Sequence, residues 1–173
     1  SGCLLLALLD CFADAVGIGV DRSVAALQVA ARNAARTGLA DRARFVASDW
    51  GRGLAGGFDL VVSNPPYVAR GDIAGLEPEV AHFEPRPALD GGIDGLDAYR
   101  ALIPRLPHLL NPGGQALLEI GAGQADDVIA LAAQAGLQCL ARHRDLAGIE
   151  RCLQFKKDQA SDQNKLGKFG PPR

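Results

Sequence analysis

The run Val61-Val62-Ser63-Asn64-Pro65-Pro66-Tyr67-Val68 sends an apolar segment straight into an amide, two prolines and a phenol. Consecutive prolines remove two backbone donors and fix two φ angles, so a strand ending near Ser63 must give way to a stiff loop whose carbonyl oxygens stay unpaired. That loop suits one kind of chemistry. An NH₂ group on an sp² carbon is a poor nucleophile because its lone pair is conjugated, and alkylating it requires turning that lone pair out of the plane. The side-chain oxygen of Asn64 and the carbonyl of Pro65 can each accept one N–H of such a group while Tyr67 covers its flat face. Pro66 adds stiffness and no competing donor. Asn64, Pro65 and Tyr67 are therefore the candidate catalytic residues, and Asn64, Pro65, Pro66 and Tyr67 the candidate substrate-binding segment. An ordinary turn is the alternative for these four residues taken alone.

The elements that must position this loop follow from the apolar pattern. GCLLLALLDCFADA reads as a largely buried helix, VGIGV as a short strand ending at Asp21, and Ser23 to Arg36 as a helix with Val24, Leu27, Ala31 and Ala34 at helical spacing. ARFVAS and FDLVVS follow as strands. Residues 69–95 form a Gly/Pro/acid-rich insertion of a length more often functional than idle. Beyond it Leu96, Tyr99, Ile103, Leu106 and Leu110 carry a helical stripe, with Asp94 as its cap and Pro104 and Pro107 weakening its second half. NPGG is a turn, QALLEI a strand and Gln124 to Ala135 a helix; LQCLARH and ERCLQFK, joined through DLAGI, form an antiparallel C-terminal hairpin. This order predicts an α/β fold with a doubly wound, mostly parallel, Rossmann-like sheet. Such a domain opens with a strand feeding a Gly-rich turn, whereas this sequence opens at Ser1-Gly2 on the helix, so the first strand is expected to be missing.

Ligands of doubly wound sheets lie outside the carboxyl ends of the strands. Ser1, Gly2, Asp21, Asp49, Trp50 and Asn64 to Tyr67 all fall on that edge. Asp21 can accept both hydroxyls of a ribose or cap the helix from Ser23; Trp50 can stack on an adenine or serve as packing. Glu119 faces either the site or a helix. Glu84 and Arg86 are expected to pair and hold the insertion in place. His82, His108 and His143 are widely separated and carry no assigned chemistry.

With 48% hydrophobic and 22% charged residues among 173, the sequence suits one globular domain, without a membrane span or secretory signal, in the cytoplasm. Residues 1–155 hold thirteen Arg against eighteen Asp and Glu, a balance of −5, whereas residues 156–173 hold all four Lys and one Arg against two Asp, or +3. The acidic balance argues against a strong nucleic-acid binder. Residues 156–173 read as a disordered polar tail. Cys3, Cys11, Cys139 and Cys152 match neither a zinc nor a disulfide pattern and read as reduced core residues, so no metal is expected.

FDLVVSNPPYV, with VDRS upstream and DW between, resembles the class I S-adenosylmethionine-dependent methyltransferases that modify planar nitrogens, and SG at the start looks like the end of their GxGSG turn. LEPEV, FEPRPALDGGIDGLDAYR and LNPGGQALLEIG narrow the resemblance to the protein-(glutamine-N5) methyltransferases of the HemK/PrmC type, over about residues 1–155. The resemblance implies S-adenosylmethionine as cofactor and the glutamine of the GGQ motif of a peptide-chain release factor as acceptor. It further implies that Ser1 and Gly2 lie near the methionine part of the cofactor, Asp21 on its ribose and Trp50 beside its adenine, with Asp49 also among the cofactor-binding residues. Asn64 touches cofactor and substrate, and Asn64 to Tyr67 clamp the amide. The expected protein is a monomer acting on a protein partner, without nucleic acid beyond the translation machinery. The rival readings are a ribosomal-protein glutamine or a nucleic-acid adenine as acceptor, or an inactive fragment.

Overall fold

The computed structural model describes residues 1–157, apart from the side chains of Ala81 and His82. The readings of His82 as chemically idle and of the tail from residue 158 onward lie outside the described residues. Lys156 and Lys157, assigned to the tail, belong to the last strand. The chain packs as two compact units, residues 1–54 and residues 55 onward.

The first unit begins with helix α1 (Cys3–Cys11), whose run of leucines favours helix and which ends where Phe12 turns extended. Strand β1 (Gly17–Asp21), helix α2 (Val24–Arg36) and strand β2 (Ala43–Ala47) follow. β1 and β2 pair in parallel with Asp21 opposite Ala47, the pairing a crossover helix requires. Leu6 and Leu9 of α1 pack with Ala34, Leu39 and Ala43 into a small core. Cys3, Leu4, Ala7 and Cys11 are exposed, so α1 is buried along one stripe only. The expectation of core cysteines is overturned for Cys3 and Cys11, which share the outward face; Cys139 and Cys152 are half-buried and all four thiols are free.

The second unit carries strands β3 (Phe58–Ser63), β4 (Leu110–Glu119), β5 (Leu137–Arg144) and β6 (Glu150–Lys157) in the order β3-β4-β6-β5. β3 runs parallel to β4, while β6 runs antiparallel to both its neighbours, giving the expected C-terminal hairpin. Ala116, Leu118 and Ile120 alternate inward and are fully buried, as are Val128, Leu153 and Phe155, with Phe155 opposite Ala116 and Leu153 opposite Leu118. Burying one such leucine is worth about 1.5–3 kcal/mol.

The insertion is not structureless. It folds as a short 3₁₀ turn (Ile73–Gly75) and helices α3 (Pro78–Phe83) and α4 (Arg86–Leu89), each of these helices started by a proline where its missing N–H costs nothing. The stripe from Leu96 to Leu110 is buried as expected. Pro104 and Pro107 divide it into α5 (Asp97–Leu102), a 3₁₀ turn (Ile103–Arg105) and α6 (Leu106–Leu109), because a proline ring cannot donate to the preceding turn. Asp94 does not occupy the cap position; Leu96 does, without a side-chain bond, while Asp94 accepts the Leu96 N–H at 3.1 Å. NPGG is absorbed into β4 as a bulge, the register jumping from Phe58 opposite Leu110 to Leu60 opposite Gln115. The Asn111 amide secures the bulge by donating to the Gly57 carbonyl at 3.1 Å and the Asp59 carboxylate at 2.8 Å. Helix α7 (Ala125–Gln134) completes the unit.

Candidate functional site

In the second unit, β3 pairs with β4 so that Ser63 lies opposite Leu118, and the chain leaves the sheet at Asn64. Asn64 is exposed, and its amide meets no hydrogen-bond partner among the described residues. Pro65 is fully buried and anchors the loop, and its carbonyl likewise accepts nothing from a described residue. Two acceptors therefore stand unengaged at the exit of β3, which is what prolines in place of N–H donors produce.

Tyr67 is held at both ends, its phenol by Glu119 and its carbonyl by Gln124. Its phenol donates to Glu119 Oε1 at 3.2 Å, a long bond for a hydroxyl and a carboxylate. Burial and then the negative charge of Glu119 raise the phenol above its ordinary pKa, because both disfavour the phenolate. The Gln124 side chain donates from Nε2 to the Tyr67 carbonyl at 3.0 Å and to the Gly95 carbonyl at 3.4 Å, and its Oε1 accepts the Gly121 N–H at 3.0 Å. Gly95 has φ 77°, and a Cβ there would collide with the Tyr67 carbonyl and Gln124 Nε2, so only glycine lets the end of the insertion approach this closely. The Tyr99 hydroxyl donates to the Glu119 carbonyl at 2.8 Å.

The insertion is tied to the same loop through its backbone. Val68 donates to the Leu89 carbonyl at 3.0 Å and accepts the Gly91 N–H at 2.9 Å. Asp90 accepts the Gly92 N–H at 2.9 Å and pairs with Arg70 at 3.0 Å, and these two partners, in that order, hold its carboxyl below the usual range. Among the described residues no ion pair joins Glu84 to Arg86, contrary to expectation; the fastening falls to Arg70 and Asp90, which sit across the Val68–Asp90 bridge.

In the first unit the register brings Asp21 and the segment after β2 to the same sheet end, with the Ser48 N–H donating to the Asp21 carbonyl at 3.0 Å. One carboxylate oxygen of Asp21 accepts the Ser23 N–H at 2.8 Å, and Ser23 caps α2 through Ala26 N at 3.2 Å. The cap of α2 is thus Ser23 and not Asp21, and the other Asp21 oxygen has no partner among the described residues, so the bond to Ser23 occupies only half of the carboxylate. Asp49 is exposed and lies 3.6 Å from Arg52. Trp50 is half-buried and has φ 51°, the one left-handed non-glycine among the described residues, a conformation that costs of order 1–3 kcal/mol. Ser1 and Gly2 are fixed elsewhere on α2. Asn33 donates to the Ser1 carbonyl at 3.0 Å, and a Cβ on Gly2 (φ 75°) would lie 2.8 Å from Ala30 Cβ. Ala30 and Asn33 lie seven and ten residues past Ser23, so these anchor points are about 10–15 Å along the helix from its capped end.

Glu119, left open between two roles by the sequence, faces Tyr67. The sequence reading missed Gln124, Tyr99 and Gly95. Only the Gly-rich spacing of DGGIDG hinted at a close approach.

Residues 1–77 match the model of the family described as methyltransferase small domain. A release factor glutamine methyltransferase of Rhodospirillum rubrum is 51% identical over 160 residues, 92% of this chain and 49% of that protein. Proteins of the same name from Caulobacter vibrioides (48% identical, 88% of this chain, 53% of that protein) and Cereibacter sphaeroides (47%, 88%, 55%) behave alike. The chain thus spans about half the length of the curated relatives it matches. Among solved structures, a ribosomal protein L11 methylase of Lactobacillus delbrueckii superposes with TM-score 0.67 at 21% identity, over 91% of this chain and 65% of that one. An O-methyltransferase of neocarzinostatin biosynthesis, in complex with S-adenosylmethionine, gives 0.61 at 20%, over 90% and 46%. At those identities the likeness is one of fold. The chain has the class I methyltransferase fold and is, over about half of their length, a homologue of the release factor glutamine methyltransferases.

Proposed function

We propose that the protein transfers a methyl group from S-adenosylmethionine to the side-chain amide nitrogen of the GGQ glutamine of a peptide-chain release factor. The observation that carries this reading is the pair of unengaged acceptors at Asn64 and Pro65, in a loop whose next aromatic residue is fixed at phenol and backbone. A carboxamide NH₂ has two N–H donors, and an acceptor for each orients the nitrogen and turns its lone pair outward. Both acceptors also favour the positive charge that grows on nitrogen as it is alkylated. The names of the relatives and the fold support this choice of acceptor and cofactor.

The residues of the first unit fit a nucleoside-bearing cofactor. The free oxygen of Asp21 suits ribose hydroxyls, and the half-buried Trp50, with Asp49 beside it, suits an adenine. Ser1 and Gly2, which precede α1, are assigned to the methionine part. When bound, S-adenosylmethionine supplies an electrophilic methyl on a sulfonium. Asn64 and Pro65 hold the acceptor nitrogen, and Tyr67 covers the amide plane. Loss of the nitrogen proton follows transfer, so no residue is required as a base.

Two parallel assays test the reading: calorimetric titration of S-adenosylmethionine into the chain, and label transfer to a GGQ peptide against an adenine-containing oligonucleotide. Cofactor binding with label on the peptide is expected. Label on the oligonucleotide alone would replace the acceptor, and no binding by folded protein would remove the cofactor.

A further inference from the structure

We propose that Gln124 and Glu119 are positioning residues for the amide-binding loop, Gln124 fixing the main chain of Tyr67 and Glu119 its phenol. The proposal rests on the reading of Asn64 to Tyr67 as the amide clamp.

The geometry singles out Gln124. A primary amide has two N–H donors and one carbonyl oxygen, and here all three are used on backbone groups of three separate loops: the Tyr67 and Gly95 carbonyls and the Gly121 N–H. Tyr67 belongs to the loop after β3, Gly95 to the end of the insertion and Gly121 to the loop after β4. No backbone ladder joins the carbonyl of residue 67 to these loops, because the two prolines before it stop the strand. The N–H side of the Tyr67–Val68 peptide is held by the Leu89 carbonyl, and Gln124 supplies the tie on its carbonyl side. Gln124 stands immediately before α7, so its backbone is set by the helix start while its side chain remains available.

Glu119 acts at the other end of the residue. A carboxylate can only accept, so the one phenolic proton of Tyr67 is committed to Glu119, and the phenol oxygen can present only lone pairs elsewhere. With Asn64 Oδ1 and the Pro65 carbonyl, the loop then offers acceptors and no side-chain hydroxyl proton, a surface that suits a carboxamide and disfavours a carboxylate. Glu119 is itself located by the Tyr99 hydroxyl on its carbonyl at 2.8 Å.

The test reads the Tyr67 phenol directly, in the full chain labelled with ¹³C-tyrosine. There are two tyrosines, so Tyr67→Phe assigns the signals. In the unsubstituted protein the Tyr67 signal is expected to titrate above the ordinary phenol value. Glu119→Gln keeps an acceptor but removes the charge and is expected to lower the midpoint. Gln124→Met keeps the side-chain length but removes every side-chain hydrogen bond; of Tyr67 the glutamine side chain bonds only the backbone, yet the change is expected to lower the same midpoint by releasing the phenol from Glu119. Asp126→Ala, which opens a surface pair to Arg142 on the first turn of α7, is the control and is expected to leave it unchanged. In methyl transfer to a GGQ peptide, Gln124→Met should lower kcat on the order of tenfold, the scale of a misplaced near-attack geometry, with cofactor Kd unchanged. An unmoved Tyr67 midpoint in both Glu119→Gln and Gln124→Met overturns the proposal, as does an unaltered kcat in Gln124→Met. An unsubstituted chain that transfers no methyl refutes the methyl-transfer reading instead, and the titration still decides the positioning roles.

Discussion

The Tyr99 hydroxyl donates to the main-chain carbonyl of Glu119 at 2.8 Å, fastening the first helix after the insertion to the last residue of β4. Tyr99 is fully buried, and burial together with the nearby Tyr67 and Glu119 charges drives its phenol pKa upward. Tyr67 is raised too, by burial and by Glu119. Both groups are stabilising while protonated.

The sign follows from linkage. A phenol whose folded pKa lies above its unfolded value contributes stability that is fully present below about pH 10, the ordinary phenol value, and is lost as pH rises through the folded value. Thermal melts are expected to fall steeply above that pH in the unsubstituted protein and less steeply in Tyr67→Phe. Identical alkaline slopes would contradict the raised phenol.

At the acid end, Asp94 is held at about 2 by hydrogen bonds from Arg100 and from the Leu96 N–H, the guanidinium acting most strongly. Its contribution is present above the ordinary carboxyl range and lost as pH falls toward 2. Asp94→Asn should therefore melt with a shallower acid slope than the unsubstituted protein, and equal slopes at moderate salt would count against the pair.

Asn64→Ala removes one of two acceptors and nothing structural, since its side chain bonds to no described residue. Turnover on a GGQ substrate is expected to drop by on the order of 1–3 kcal/mol of barrier, with melting temperature unchanged. Unaltered turnover would remove Asn64 from the mechanism.

Asp21 must be tested with its hydrogen bond from the Ser23 N–H preserved. Asp21→Ala would also remove the acceptor for the N–H of Ser23, the cap residue of α2, and confuse the result with a loss of stability. Asp21→Asn keeps an acceptor and loses the charge. Calorimetry is expected to find weaker S-adenosylmethionine binding by on the order of 1–3 kcal/mol without a matching loss of melting temperature.

The alternation Ala116, Leu118, Ile120 made β4 readable from sequence, and the structure buries all three. Leu118→Ala should cost about 2–5 kcal/mol in denaturant unfolding, the range for a buried leucine. The NPPY loop was equally legible, because proline chemistry is local. The NPGG bulge was not, since it depends on Asn111 reaching Gly57 and Asp59, more than fifty residues away. Gln124 was invisible for the same reason: two of its three partners, Tyr67 and Gly95, lie 57 and 29 residues away on loops that only tertiary packing brings to it. The exposed face of α1 was misread because a helix apolar at every position but Asp10 gives no periodicity to say which side faces inward.

The most direct test of the central claim is mass-spectrometric mapping of a release factor after incubation with this protein and S-adenosylmethionine, beside a factor whose GGQ glutamine is replaced by glutamate. One added methyl group is expected on the glutamine side chain and none on the glutamate form. A folded protein that leaves that glutamine unmodified, or that methylates both forms alike, contradicts it.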